Sequence, residues 1–237
     1  MLKLLVSDYD QTFYLNDEDI KNNKIYVDKF INLGNLFVIA TGRSYLDFHN
    51  KLDIYKFNYN YAILNHGASV IDKNNKVLFN ICISNEIISQ IQNDLSLSEC
   101  VNYFCCSGID SRVTFEHKNL TKINVGYSSK EYALEKANFI NNKYGNYVKA
   151  YYVNTNSVEI ISNKTNKAEA IYWLINFLNN VNKTNTYVIG DSYSDIEMVQ
   201  EFNGYCMKDS VSELKLVAIK EYNSVSSLIK EILNGQK

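Results

Sequence analysis

The chain contains no proline at all, which removes the usual marker of rigid turns and helix starts, so element boundaries must be read from apolar periodicity. Histidine is almost as scarce. His49, His66 and His117 lie in unrelated segments, and a zinc site would want more nitrogen or sulfur donors than they can bring together. The five cysteines are odd in number and include no CxxC pair, so neither a disulfide framework nor a thiolate metal site is expected. Cys82, Cys100, Cys105, Cys106 and Cys206 read as free thiols packed as small apolar groups, with Cys105 and Cys106 on opposite faces of a strand.

Long apolar runs are missing as well. No stretch reaches the roughly 20 apolar residues that span a bilayer. The opening MLKLLVSDYD is too short and too soon followed by carboxylates to be a secretory signal, so it reads as a buried strand. These absences point to a cytoplasmic protein with no membrane partner. Excess charge is absent too: the formal net charge is −2, no basic run stands out, and the aromatic stretches are not interleaved with basic residues. Nothing therefore favours a nucleic-acid partner. No heptad or long apolar stripe announces an oligomer, and the oligomeric state stays open.

What is present is a βα alternation broken once. Apolar runs at 2–7 (LKLLVS), 36–40 (LFVIA), 61–65 (YAILN) and 186–190 (TYVIG) fit buried parallel strands. Helical patterns occupy 25–33, a segment from Ser44, 167–179 and 224–233, and another starts near Ser194; NGYCM (203–207) is a last short strand. Ala168, Ile171, Ile175 and Leu178 are spaced for one apolar helix face. SVID and KVLFN flank a polar turn and read as a hairpin. Between about 81 and 162 the character changes to strands with two helices, at 85–95 and 131–144, an α+β pattern. The expected architecture is an α/β core, a Rossmann-like parallel sheet with helices on both faces, formed by residues 1–80 and 163–237. Residues 81–162 are expected as an inserted α+β domain.

Each core strand runs into a polar cluster: Asp8-Tyr9-Asp10-Gln11-Thr12, Thr41-Gly42-Arg43, and Gly190-Asp191-Ser192-Tyr193-Ser194-Asp195. In an open parallel sheet, ligands bind outside the carboxyl ends of the strands, so these clusters should meet at one place. Four carboxylates in one cleft repel unless a cation sits among them, and oxygen-only donors suit Mg²⁺. Mg²⁺ suits a phosphate in turn. The Thr41 hydroxyl and the backbone N–H groups near Tyr9 and Gly42 can donate to phosphoryl oxygens. Arg43 has two readings, phosphate binding or pairing with a carboxylate near the helix start. Asp8 and Asp10 taken alone could be strand-end turn residues, a reading that weakens once Asp191, Asp195, Thr41 and Lys167 follow in order.

DYDQT after the first strand, ATGR after the second, Lys167 at a helix start and GDSYSDIEM after a late strand together resemble the haloacid dehalogenase-like hydrolase superfamily. The single late insertion, NHGASVID and CMKDSVSELKLVA are similar to its Cof-type (class IIB) branch, and the resemblance runs along essentially the whole chain. It selects Lys167 over Lys164. It implies a Mg²⁺-dependent phosphatase acting on a small phosphorylated metabolite: a sugar phosphate, a nucleotide or a phosphorylated cofactor. Asp8 would be the nucleophile, Asp10 the acid and base, and Thr41 and Lys167 the phosphoryl-binding pair. Asp8, the Asp10 carbonyl and Asp191 would hold the metal, with Asp195 on a metal-bound water or nearby ligand. Phosphotransfer as in a mutase, or a catalytically degenerate binding or regulatory protein, are the alternatives. Three residues depart from the pattern: Gln11 where the family usually has Gly, Ser194 where it has Asn, and His66 in the NGA segment. Arg112, Glu116 and His117 are the polar residues of the inserted segment considered as site-facing.

Overall fold

The structure is a computed structural model that describes residues 2–153 and 156–235. Its centre is an eight-stranded sheet in the order β13-β12-β11-β1-β2-β3-β4-β5. The strands are β1 (Leu4–Asp8), β2 (Leu36–Ala40), β3 (Tyr61–Leu64), β4 (Ser69–Asp72), β5 (Val77–Asn80), β11 (Thr186–Gly190), β12 (Asn203–Met207) and β13 (Glu221–Tyr222). The run from β13 to β3 is parallel, and the β4–β5 hairpin closes one edge antiparallel. Strand β1 is fully buried and pairs with β2 and β11, which is why its sequence is continuously apolar rather than alternating.

Helices cover both faces of this sheet. Leu5, Phe37 and Ile39 pack against α1 (Asp17–Asn32), α2 (Tyr45–Tyr55) and α8 (Val225–Asn234). Leu4, Val6, Val38 and Ala40, one residue out of phase, pack against α5 (Lys167–Leu178) and α6 (Ile196–Glu201). That is the period-two rule of a strand applied to a two-sided core. Helix α1 begins eight residues earlier than its apolar pattern predicts, because Asn16 caps it by accepting from the N–H groups of Glu18 and Asp19. On α5, Leu178 is only half-buried, while Ala170 and Leu174 join the buried face instead.

The middle of the chain forms a second, five-stranded antiparallel sheet in the order β7-β6-β8-β10-β9. It is made of β6 (Asn102–Ser107), β7 (Asp110–Val113), β8 (Lys122–Gly126), β9 (Val148–Val153) and β10 (Ser157–Ser162). One face packs on α3 (Asn85–Asp94) and α4 (Lys130–Tyr144) in a separate hydrophobic cluster that includes Ile123, Val125, Val158 and Ile160. Strand β7 is shorter than the SRVTFEH run predicts, since Thr114 accepts a turn hydrogen bond from the His117 N–H. Helix α7 (Ser212–Lys215) and β13 are too short to leave a periodic signal. All five cysteines are free, and burial pushes Cys105 up to about 12 and Cys106 up to about 11, so both remain protonated and unreactive.

Candidate active site

Three β-strands deliver the site at their carboxyl ends. Asp8 ends β1, Thr41-Gly42-Arg43 follows β2, and Asp191 follows β11; α5 contributes Lys167 from its first turn. Asp8, Asp10, Thr41, Gly42, Arg43, Lys167 and Asp191 all line one cavity of about 1060 Å³ between the two sheets. The Tyr9 side chain points the other way, fully buried in the aromatic core against Phe57, so only its backbone belongs to the site.

Lys167 is the electrostatic hub. Its Nζ donates to Asp8 Oδ1 and to Asp195 Oδ1, each at 2.6 Å, with the side chain only 2% exposed. Burial would strip its proton, but Asp195 and Asp8 outweigh that and hold it charged well above the ordinary lysine range. Asp195 is fully committed. Its Oδ2 accepts from the N–H groups of Asp191 and Ser192 and from the Ser192 hydroxyl, at 3.1, 3.0 and 2.9 Å. Its Oδ1 takes Lys167, so Asp195 anchors Lys167 and the loop with a carboxylate that also lies beside Asp8 and Asp191. Gly190 is required here, since a Cβ would lie 2.4 Å from the Asp195 carboxyl carbon. Ser194 hydrogen-bonds Ser192 Oγ at 3.0 Å inside the same turn.

Asp191 accepts from the Thr12 hydroxyl at 2.7 Å. Burial, then the neighbouring Asp195, raise its pKa to about 6. Burial likewise raises Asp8 well above its ordinary value; Lys167 opposes this, and Asp195, Asp191 and Asp10 add to it. One oxygen from each of Asp8, Asp191 and Asp195 lies within 4.8 Å of the others. Three crowded carboxylates with a single lysine between them are short of positive charge, and an all-oxygen donor set fits a hard divalent cation. Asp10 stands outside this group: its two oxygens take the Arg43 guanidinium in a bidentate pair at 2.8 and 2.7 Å. Arg43 thus has a carboxylate partner, though on the loop after β1 and not at the helix start.

The departures from the motif pattern resolve as follows. Gln11 adopts φ +60°, the left-handed conformation a glycine would supply, so the turn after Asp8 survives the substitution. His66 sits between Asn65 and Gly67, all three at positive φ, and its ring lies so close to Gly42 that a Cβ there would be 2.3 Å from it. The loops interlock: Asn65 N–H donates to the Arg43 carbonyl and His66 N–H to the Thr41 carbonyl, both at 3.0 Å. Of the inserted-segment candidates, Arg112 lines the cavity and pairs with Asp47 at 2.7 Å, whereas Glu116 and His117 are exposed on a turn away from it. The cavity also takes in Asn124, Tyr151 and Glu159, which were not singled out from the sequence. Their signal was there in the strand alternation: Lys122-Ile123-Asn124-Val125 and Val158-Glu159-Ile160 put polar groups on the face away from the helices.

A sequence profile for haloacid dehalogenase-like hydrolases matches residues 5–118 and 102–227. A Buchnera aphidicola subsp. Baizongia pistaciae protein named "Putative phosphatase" is 24% identical over 272 residues, covering 98% of each chain. Among solved structures, a haloacid dehalogenase-like hydrolase from Bacteroides thetaiotaomicron superposes with a TM-score of 0.80 at 16% identity, over 98% of this chain and 100% of that one. One from B. subtilis gives the same values. These likenesses in fold agree with the motif order and the strand-end cluster, and the chain belongs to the haloacid dehalogenase-like hydrolase family.

Proposed function

We propose that the protein is a Mg²⁺-dependent phosphatase that cleaves a small phosphorylated metabolite through an aspartyl-phosphate on Asp8. Residues 81–162 act as a cap over the core formed by 1–80 and 163–237. The observation that carries this reading is the meeting of Asp8, Asp191, Lys167 and Thr41 on one cavity wall, from chain positions up to 183 residues apart. The name of the Buchnera relative points the same way.

In the first step an Asp8 oxygen forms a bond to phosphorus as the bond from phosphorus to the leaving oxygen breaks, and Asp10 gives that oxygen its proton. In the second, water attacks phosphorus, Asp10 takes the water's proton, and the Asp8–phosphorus bond breaks to release phosphate. Lys167 neutralises phosphoryl charge and keeps Asp8 oriented. Asp10 enters proton transfer when the Arg43 pair opens, which frees the guanidinium fork for phosphoryl oxygens. Asp8, the Asp10 carbonyl and Asp191 would hold Mg²⁺, which supplies further charge neutralisation at the phosphoryl oxygens. The cap supplies a wall that limits water and contacts the leaving group.

The test is hydrolysis of p-nitrophenyl phosphate. Activity should require Mg²⁺, disappear in Asp8→Asn and be blocked by beryllium fluoride. Full activity in Asp8→Asn, or with the metal chelated, rejects the mechanism. Phosphate release without an acceptor separates hydrolysis from phosphotransfer.

A further inference from the structure

Beside the site, a buried ionic network joins the second sheet to the loop after β2. Lys122 on β8 and Glu159 on β10 form an ion pair at 2.7 Å, with the Lys122 side chain 1% exposed. Asn124 donates to the same Glu159 oxygen at 3.0 Å, and His66 Nε2 meets the other at 2.6 Å. Burial alone would raise Glu159, but Lys122 and His66 beside it hold its carboxyl below the ordinary range. Burial keeps His66 neutral, so Nε2 carries the hydrogen that faces Glu159. An ion pair taken almost entirely out of water is costly, and it adds little net stability compared with apolar side chains of the same size. Its value lies in what it orients.

What Lys122 orients is one peptide. Its Nζ also donates to the Gly42 carbonyl at 2.7 Å, across the gap between the sheets. The N–H of that same peptide unit belongs to Arg43, and it donates to Thr41 Oγ1 at 3.1 Å. With its oxygen accepting there, the Thr41 hydroxyl has its own hydrogen left to give to the cavity. The His66 ring packs directly against Gly42, where a Cβ would lie 2.3 Å from it.

We propose that Lys122 and Glu159 are positioning residues that set the direction of the Thr41 hydroxyl through the Gly42–Arg43 peptide. This rests on the reading of the cavity as a phosphoryl site. It also means that the middle segment takes part in forming the phosphoryl site as well as covering it. Hydrogen bonds in such a chain polarise one another, so loss at one end is felt at the other.

The test is a double-mutant cycle on inorganic phosphate affinity, measured by titration calorimetry on the full chain with Mg²⁺. Lys122→Met should weaken Kd roughly tenfold, the scale of one net hydrogen bond, and Thr41→Ala should do the same. The double variant should bind no more weakly than Thr41→Ala alone. A purely structural role for Lys122 lowers the melting temperature and leaves Kd of the folded protein unchanged. Should Lys122→Met not fold, Glu159→Gln, of equal size, takes its place, with a several-fold weakening that vanishes in the Thr41→Ala background. An unchanged Kd, or single effects that multiply in the double variant, overturns the proposal while leaving the phosphoryl site intact. No phosphate binding by the unmodified protein overturns both.

Discussion

Replacing Lys167 with Met tests the electrostatics of the site most directly. The ammonium is almost wholly buried and touches Asp8 and Asp195 at 2.6 Å each. Removing it leaves two carboxylates in a desolvated place with no counter-charge. Breaking a buried pair in this way costs about 3–5 kcal/mol, well above the cost of the methylene packing, which Met retains. With a urea slope of roughly 2–3 kcal/mol per molar, the midpoint should fall by about 1–2.5 M. Trp173, the single tryptophan, sits on the same helix as Lys167 and stacks against Phe177, so its fluorescence reports the unfolding of this part of the molecule. In Lys167→Met/Asp195→Asn one orphaned charge is gone, and part of the loss, on the order of 1–3 kcal/mol, should return. Mg²⁺ should also stabilise Lys167→Met more than the unmodified protein, because the cation then supplies the missing charge. A loss below about 1 kcal/mol, or strict additivity of the two substitutions, refutes the hub assigned to Lys167.

Further outcomes concern pH and backbone. Because the Asp191 pKa is raised to about 6 in the fold, the folded state binds more protons than the unfolded chain between about pH 4 and 6. Asp191 should therefore contribute about 1 kcal/mol of stability to the metal-free protein on acidification from pH 7 to 5, with Asp8 acting in the same direction and His66, lowered by burial, opposing both. Melting curves in EDTA for the unmodified protein and Asp191→Asn check this: the difference in stability between them should shift by about 1 kcal/mol from pH 7 to 5 in favour of the unmodified protein, and a pH dependence identical in the two contradicts it. Gly67→Ala places a Cβ 2.2 Å from the Asn166 carbonyl at φ +105°, just ahead of Lys167. A loss of roughly 2 kcal/mol or more is expected by denaturation, and a neutral result would show that the two loops can separate. Gln11→Gly relieves a left-handed side chain, so it should be neutral to about 1 kcal/mol stabilising, with hydrolysis retained. A marked loss of activity would mean that the Gln11 side chain itself contacts substrate.

The linear order of the chain set the frame. Continuous apolar runs of strand length that end in polar clusters fit central parallel strands with both faces buried, so β1, β2 and β11 and the clusters behind them were legible without coordinates. The same holds for Lys167 at a helix start and for the change of pattern between the two sheets. Tertiary packing alone decided partners. That Arg43 grips Asp10, that Asp195 is spent on Lys167 and a backbone turn, and that Lys122 reaches the Gly42 carbonyl depend on distances between segments far apart in sequence. Residue type states what a side chain can bond, and burial then forces it to take whichever partner the fold brings within about 3 Å. Gln11 shows the same division. Its identity argues against a left-handed turn, yet the fixed ends of β1 and α1 hold it at φ +60°.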